Sequence, residues 1–445
     1  MAWAASRTTA PPWTRVAART SAASRSSSAC SRGFPRSWGG CRASTPSRRG
    51  GARRPIPGGR GTGAWPSFSS SDVSGPDSLS LADAAHLEWA RKLGRRGWGQ
   101  VHPNPLVGCV IVNEDRTVGE GYHEVFGGPH AEIVALEDAR SHAQGATVYV
   151  SLEPCNHHGK TPPCSEALLA AGVRRVVYGA RDPGRESGGG ANTLRAGGVE
   201  VVGPVWADRE GRAENPAFFH RAKHASPFVA LKLAMSLDAR IAASPAQRTR
   251  VTGPEAEREV HRLRTGFDAI LVGAGTVRAD NPRLTVRMVP PGREAPRRIV
   301  LDPDATLPSG AALFAAREDA PVHVFVREDA AEAQIERLEE AGAHVHPVGR
   351  SQRGLDLDDV LSACGDLGVR SILCEGGARL ADSLLRERRI QRLYMFVSPA
   401  TYGSEGVAAF PSDAGVLRWD DFDPAGPPQQ HGRDTLIVLD RQEHP

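Results

Sequence analysis

Lysine is scarce in this 445-residue chain: Lys92, Lys160, Lys223 and Lys232 stand against 51 arginines. Where arginine is so favoured, each retained lysine raises the question of what a compact ammonium does there that a planar guanidinium would not. Long apolar runs are missing too, none approaching the roughly 18 residues of a spanning helix, so no membrane association is expected. Seven cysteines, an odd number spread thinly over a long chain, do not make a disulfide scaffold. They favour a reducing compartment, and the cytoplasm is the expected location. Acidic residues are absent from residues 1–71, which hold twelve arginines and no lysine. The remainder carries 43 basic and 51 acidic residues, a net charge of −8. The sequence pI near 8.8 therefore comes from the head alone. Had that positive charge been spread over the fold, nucleic acid or an anionic membrane would be the expected partner; as it stands, neither is.

Residues 1–79 read as an Arg/Ser-rich extension with no helical or strand period and a turn-prone Ser-Gly-Pro-Asp at 74–77. Such composition cannot bury a core. No methionine stands between Met1 and Met235, so a start placed too far upstream would leave a non-standard codon, such as that of Val73, as the true one. A dispensable or mis-started tail is the first reading of the extension, an organelle transit peptide the second, and a nucleic-acid arm the third. Order is expected from Ser80, whose Ser-Leu-Ala-Asp opens a helix over 81–92 with Leu81, Ala85, Trp89 and Leu93 on one buried face. Strands are expected at 106–112, 147–152 and 175–179, with a helix over 165–171. This alternation makes a three-layer α/β domain over 80–225. A Gly-rich loop at 187–190 and a connector over 212–226 lead to a second α/β series over 226–445. Its expected strands are 228–233, 269–272, 298–301, 322–326, 344–348, 371–374 and 393–397, with helices over 254–264, 330–341, 357–367 and 378–387.

Residues 129–132 read Pro-His-Ala-Glu, and further on Cys155 is followed by Asn-His-His-Gly-Lys-Thr-Pro-Pro-Cys164. His130, Cys155 and Cys164 give Zn2+ three soft or borderline ligands and leave a fourth position for solvent, which is how a catalytic rather than a structural zinc is built. Glu132, two residues past His130 at a helix start, approaches the metal without ligating it and is the expected proton carrier. Zinc nucleobase deaminases carry His-x-Glu with Pro-Cys-x-x-Cys; here eight residues rather than two separate the cysteines. A structural zinc site, which usually takes four protein ligands, and cysteines that merely pack are the competing readings. Within the insert, His157, His158 and Lys160 together point to a polar, phosphorylated ligand. Asn104 and His123, at the ends of flanking segments, are weaker candidates taken singly.

The second half offers Lys232, Ser236-Leu-Asp238, Gly273-Ala-Gly-Thr276, Ala279-Asp-Asn-Pro282 and Cys374-Glu-Gly-Gly377. Two glycines at a strand end that open a helix make a cradle for phosphate or pyrophosphate, although tight turns need glycine too. No Gly-x-Gly-x-x-Gly follows the first strand, which disfavours an ordinary Rossmann site.

Taken together, the chain resembles the bacterial bifunctional riboflavin-biosynthesis family, which joins a diaminohydroxyphosphoribosylaminopyrimidine deaminase to a 5-amino-6-(5-phosphoribosylamino)uracil reductase. The resemblance runs from about residue 80 almost to the C-terminus. Its first half rests on His102-Pro-Asn-Pro, Val107-Gly-Cys-Val-Ile-Val, Gly119-Glu-Gly-Tyr-His123, Pro129-His-Ala-Glu132 and Leu152-Glu-Pro-Cys155 through Cys164. The second rests on Leu231-Lys-Leu, Ser236-Leu-Asp238, Asp268-Ala-Ile-Leu-Val-Gly273, Leu284-Thr-Val-Arg287 and Glu375-Gly-Gly377. The resemblance implies a cytidine-deaminase-like three-layer domain followed by a dihydrofolate-reductase-like domain that binds NADPH. It implies zinc on His130, Cys155 and Cys164, Glu132 as proton shuttle, and pyrimidine contacts from Asn104, His123, His157, Lys160 and Asp182. Cofactor contacts would come from Ala234, Arg250, Thr276, Asp280 and the run Gly377, Ala378, Arg379, Leu380, Ala381, Asp382 and Ser383. The reductase substrate would meet Arg248, Arg264, Leu284, Arg287 and Glu375, guanidinium groups suiting a ribose phosphate because they bind its oxygens in pairs. The implied partners are phosphoribosyl pyrimidines and further copies of the chain in a homo-oligomer. Departures are Gly184 in place of the Asn of Asp-Pro-Asn, Ala239 in place of the Gly of Ser-Leu-Asp-Gly, Arg250 in place of a Trp, and Arg248 where a small polar residue is common. Ala239 and Arg250 leave a monofunctional deaminase with an impaired reductase as the alternative.

Overall fold

The computed structural model describes residues 79–158, 162–245, 249–315, 320–410 and 421–442. The Arg-rich extension up to residue 78, Lys160 and Arg248 lie outside the described residues. Helix α1 (Leu81–Gly94) opens as expected, with the Ser80 hydroxyl accepting from the Asp83 N–H and the Asp83 carboxylate accepting from the Ser80 N–H, each at 3.0 Å. Its buried face is not the expected one. Leu81, Ala85 and Trp89 are exposed, and Asp83, Leu87, Ala90 and Leu93 point inward. The reason is Asp83, which the Tyr149 hydroxyl and Arg175 Nη1 each reach at 2.7 Å. Burial alone would raise this carboxyl, but those partners hold it far below the usual carboxylate range. A satisfied buried charge has turned the helix by part of a turn from the face that apolar spacing favours.

Five strands make the first sheet: β1 (Gly108–Asn113), β2 (Arg116–Tyr122), β3 (Thr147–Leu152), β4 (Arg175–Ala180) and β5 (Glu200–Val202), in the order β2-β1-β3-β4-β5. β1 is antiparallel to both neighbours, whereas β3, β4 and β5 run parallel. Helices α2 (Ala131–Ala139), α3 (Cys164–Ala170) and α4 (Gly190–Ala196) connect these strands, and β1 and β3 are buried almost throughout, as continuous apolar runs require. Two short helices, α5 (Asp208–Glu214) and α6 (Pro216–Lys223), run into and through the expected connector; neither carries a long apolar stripe.

The second sheet has ten strands, β6 (Phe228–Ser236), β7 (Ala269–Gly273), β8 (Arg297–Leu301), β9 (Val322–Arg327), β10 (Ala343–Val348), β11 (Ser371–Cys374), β12 (Arg392–Ser398), β13 (Phe422–Pro424), β14 (Gln429–His431) and β15 (Asp434–Arg441). Their order is β10-β9-β8-β7-β11-β6-β12-β15-β13, with β14 beside β15. From β10 to β12 all neighbours are parallel, and β15 closes that end antiparallel. Helices α7 (Pro254–Arg264), α8 (Ala274–Asp280), α9 (Glu332–Glu340), α10 (Leu357–Asp366) and α11 (Ala378–Arg386) cover it. The chain starts in the middle at β6, walks outward from β7 to β10, and returns at β11 between β7 and β6. That reversal leaves a crevice at the carboxyl ends of β6, β11 and β7, where ligands bind in open α/β sheets. All the expected strands and helices are present, with ends displaced by at most three residues. The two-sheet α/β architecture is the expected fold class.

Glycine lets α2 sit against the hairpin. A Cβ on Gly121 would collide with the backbone of Ala131 and Ala135, and one on Gly119 with that of Ala135 and Ala139. Gly121→Ala must therefore lift the first turn of α2. Its expected cost is about 1–3 kcal/mol, read as a lower urea midpoint with an unchanged m-value; an unchanged midpoint would show that the helix does not rest on this glycine.

Candidate active sites

His130 is the N-cap residue of α2 but makes no side-chain cap hydrogen bond, so its ring is available to point elsewhere. Cys164 is the first residue of α3 and Cys155 lies in the loop after β3. His130 Nδ1 stands 3.5 Å from Cys155 Sγ and 3.3 Å from Cys164 Sγ, and the three ligand atoms all fall within 4.8 Å of one another. A tetrahedral zinc with ordinary Zn–S and Zn–N lengths separates an N and an S ligand by about 3.6 Å, so the donor set and its spacing both fit that ion. The Cys164 N–H points at Cys155 Sγ at 3.4 Å. Hydrogen bonding from the Cys164 thiol, aided by His130, pulls the Cys155 thiol well below its ordinary value and favours it as a thiolate ligand. Cys164, the donor to it, is pushed up, and His130 is raised by its bond to Cys155.

Glu132 lies in the first turn of α2 and is only 3% exposed. Burial, reinforced by Cys155, pushes its carboxyl up to about 7. His123 is brought against this centre, its ring 5.5 Å from that of His130. Its Nδ1 lies 2.9 Å from the Pro129 carbonyl and its Nε2 3.1 Å from Asn104 Nδ2, which sets the tautomer: Nδ1–H donates to Pro129 O, and Nε2 accepts from Asn104. Burial lowers its pKa and keeps it neutral. Two motifs that were weak singly thus form one hydrogen-bonded pair. His157 is exposed on the Cys155 loop, and His158 meets Glu166 at 3.1 Å.

Glu153, a residue of the Leu-Glu-Pro-Cys motif that received no role from the sequence, is buried and accepts from the N–H groups of Asp182, Gly189 and Ala191 at 3.1–3.3 Å. It clamps the loop bearing Asp182 beneath the cysteine loop. A buried carboxylate in a run of apolar strand residues was the available signal. Asp182 is itself buried, which raises its pKa, and accepts from the Gly184 N–H at 2.8 Å. At position 184 a Cβ would collide with the Ser187 hydroxyl, and that hydroxyl bonds the Asp182 carboxylate. Ser187 thus occupies the space that a side chain at position 184 would enter.

In the second half, Arg264 at the end of α7 grips Glu375 with two bonds, Nε to Oε1 at 2.6 Å and Nη2 to Oε2 at 2.9 Å, and its Nη1 donates to the Thr285 carbonyl at 2.7 Å. Both side chains are 10% exposed. Burial would raise the Glu375 pKa, yet Arg264 and then Lys232 hold it down to about 2. Lys232, singled out by lysine scarcity but given no site role, sits partly buried beside them, and burial lowers its pKa. His261 accepts the Arg287 N–H at 3.0 Å; burial, Arg264 and Arg287 pull it down to about 4, so it stays neutral. Leu284 is buried at φ +53 in the same loop.

The Gly-Gly turn lies at the crevice. Gly273 N–H donates to the Gly376 carbonyl, and a Cβ on Gly377 would stand 3.1 Å from Thr276 Oγ1. Gly377 is the N-cap of α11 and supplies no side-chain cap. The first-turn amides of that helix therefore fit a pyrophosphate. Within 377–383, Leu380 and Ala381 pack into the core and Asp382 pairs with Arg386 and Arg353, so the open part is the backbone of Gly377, Ala378 and Arg379. Ala234 is partly exposed near the carboxyl end of β6, and Asp280 ends α8. Arg250 is exposed and pairs with Glu257. Ala239 takes φ +56, a conformation that favours glycine, and its N–H bonds Ser236 O to close the turn.

A family model described as the cytidine and deoxycytidylate deaminase zinc-binding region matches residues 82–180, and one described as the RibD C-terminal domain matches residues 227–422. The chain is 38% identical over 327 residues to the riboflavin biosynthesis protein RibD of Aquifex aeolicus, covering 73% of this chain and 89% of that one. Among solved structures it is similar to Acinetobacter baumannii RibD, with a TM-score of 0.67 and 32% identity over 81% of this chain and 99% of that one. A Thermotoga maritima structure described as a diaminohydroxyphosphoribosylaminopyrimidine deaminase/5-amino-6-(5-phosphoribosylamino)uracil reductase also gives a TM-score of 0.67, at 33% identity over the same shares.

The depressed Glu375 carboxyl sets a sign for acid stability. Its folded value, about 2, lies below the ordinary 4.5, so the stabilisation is complete above pH 4.5 and is lost as pH falls through 2. The stability difference between wild type and Glu375→Gln, measured by urea unfolding, is expected to shrink by on the order of 1–2 kcal/mol between pH 5.5 and 3.5; a constant difference contradicts the ion pair.

Proposed function

The chain belongs to the RibD family of riboflavin biosynthesis proteins, and we propose on that footing that its two halves act in turn on one phosphoribosylated pyrimidine. Residues 80–225 form the deaminase, which removes an exocyclic amine from 2,5-diamino-6-(5-phosphoribosylamino)pyrimidin-4-one. Residues 226–445 form the reductase, which converts the ribosyl side chain to ribityl. The observation that carries the reading is a His/Cys/Cys trio at zinc-ligand spacing beside a buried, non-ligating glutamate.

In the deaminase, His130, Cys155 and Cys164 hold the metal. Zinc there supplies a Lewis acid that makes water nucleophilic near neutral pH. Glu132, with a carboxyl near 7, takes a proton on Oε from the attacking water and delivers it to the leaving amine. Asn104, His123, His157, Lys160 and Asp182 orient the pyrimidine and its phosphoribosyl group. The neutral His123 is fixed by Pro129 and Asn104, so it presents one defined face to the ligand.

In the reductase, Ala234, Thr276, Asp280, Arg250 and the segment 377–383 bind the cofactor. NADPH supplies the hydride. Arg248, Arg264, Leu284, Arg287 and Glu375 hold the sugar phosphate, with Lys232 beside them. An impaired reductase is disfavoured: relatives align across both halves, and the Ala239 turn keeps its hydrogen bond. The partners are small phosphorylated pyrimidines rather than nucleic acid, given the net charge of −8 outside the head. A cytoplasmic location accords with five free, buried cysteines among the described residues, and none of the described helices is long and apolar enough to cross a membrane. Assembly as a homo-oligomer is part of this proposal and rests on the family resemblance alone.

Glu132→Gln separates the roles. The variant is expected to retain zinc by metal analysis, lose deamination by about 10²–10⁴-fold, and keep NADPH oxidation with the deaminated substrate. Zinc loss would contradict the non-ligating role, and retained deamination would remove Glu132 from the chemistry.

A further inference from the structure

The loop that carries Asn104 is held from outside its own sheet. Residues 97–104 leave α1 and, before reaching β1, pack against two segments of the other half: the end of α7 with the residues after it, and the loop over 284–293. Trp98 Nε1 donates to the Arg262 carbonyl at 2.8 Å, the Arg262 guanidinium lies 4.9 Å from the indole, and the ring covers Gly266, where a Cβ would enter it. The Gly99 carbonyl accepts the Arg293 N–H at 2.7 Å, and Gln100 Nε2 donates to the Pro291 carbonyl at 3.1 Å. Arg293 Nη2 donates to the His102 carbonyl at 3.2 Å while its guanidinium stacks 4.8 Å from Phe126. His102 Nε2 meets Asp268 Oδ1 at 2.9 Å, and Asp268 is itself fixed by the Arg370 and Ser371 N–H groups at 2.7 and 3.0 Å.

These contacts end where the deaminase binding residues begin. Two residues past His102, Asn104 donates to His123, and the Phe126 N–H donates to Gln100 O. Both segments flanking the metal centre thus hang on one loop that has no strand partner of its own. A loop of this kind opens locally at little cost unless something outside it supplies the bonds.

We propose that the reductase half positions the deaminase substrate loop, with Arg293 and Asp268 as positioning residues that hold Asn104 and His123 in their binding geometry. The proposal rests on the reading of Asn104 and His123 as substrate contacts. Pre-ordering acts on ground-state binding, so its loss should appear in KM rather than in the chemical step. Neither Arg293 nor Gln100 touches the reductase site.

The test is steady-state kinetics of the full chain carrying Arg293→Ala or, separately, Gln100→Ala. Each is expected to raise the deaminase KM about three- to tenfold, the size of one hydrogen bond, with kcat within about twofold and NADPH oxidation on the deaminated substrate unchanged. Arg293→Lys, which keeps a cation for the His102 carbonyl, should restore most of the KM. An unmoved KM in both alanine variants, or a kcat that falls with Tm while KM stays, overturns the proposal. A wild type that fails to deaminate overturns the deaminase assignment and this inference with it, whereas wild-type turnover with unmoved variants overturns the inference alone.

Discussion

Three ligand atoms from two helix starts and one loop must meet within a few ångströms, and this constraint organises the first domain. His130 reaches the meeting point because α2 begins there and lies close on the β1–β2 hairpin, an approach that Gly119 and Gly121 permit and any side chain would block. Cys164 reaches it by opening α3, whose first N–H points at the sulfur of Cys155. The cysteine loop in turn stands on Glu153, which ties it to the segment carrying Asp182. A shift of one backbone would open the donor set, because the sulfur and nitrogen atoms are already at zinc-ligand separation.

The second domain solves a different electrostatic problem. Burying Arg264 and Glu375 is worthwhile only if their geometry is good and the rest of their bonding capacity is met; the fork-to-fork contact and the Thr285 carbonyl meet it. Lys232 and Arg287 add two cations to that pocket and Glu257 and Asp280 act on it from its edge, while His261 contributes no charge because burial and its cationic neighbours keep it neutral. The guanidinium groups of the pocket have the fork geometry that suits a sugar phosphate. The pocket lies at the carboxyl ends of the parallel strands, beside the amides of α11, so substrate phosphate and cofactor pyrophosphate can sit in one crevice.

Much of this was legible in the residues. Buried parallel strands announce themselves as apolar runs, which is why 147–152, 228–233 and 371–374 were placed well. The zinc trio needed only residue type and order. What escaped was relational. The inward turn of α1 depends on Tyr149 and Arg175, dozens of residues from Asp83, and no helical period contains them. The roles of Glu153 and Ser187 appear only when the loop folds back on itself. The pairing of Asn104 with His123 joins residues 19 apart across the whole β1–β2 hairpin. Lys232 was visible as an anomaly of composition, but its neighbours Glu375 and Arg264 come from distant elements.

The central claim is that one chain carries both steps. Purified protein loaded with zinc, given the diaminopyrimidine phosphoribosyl substrate together with NADPH, tests it most directly by mass spectrometry of the products. The account predicts loss of the exocyclic amine followed by a two-electron gain in the side chain, yielding the ribityl product. Unchanged substrate contradicts the account, and accumulation of only the deaminated ribosyl compound contradicts its second half.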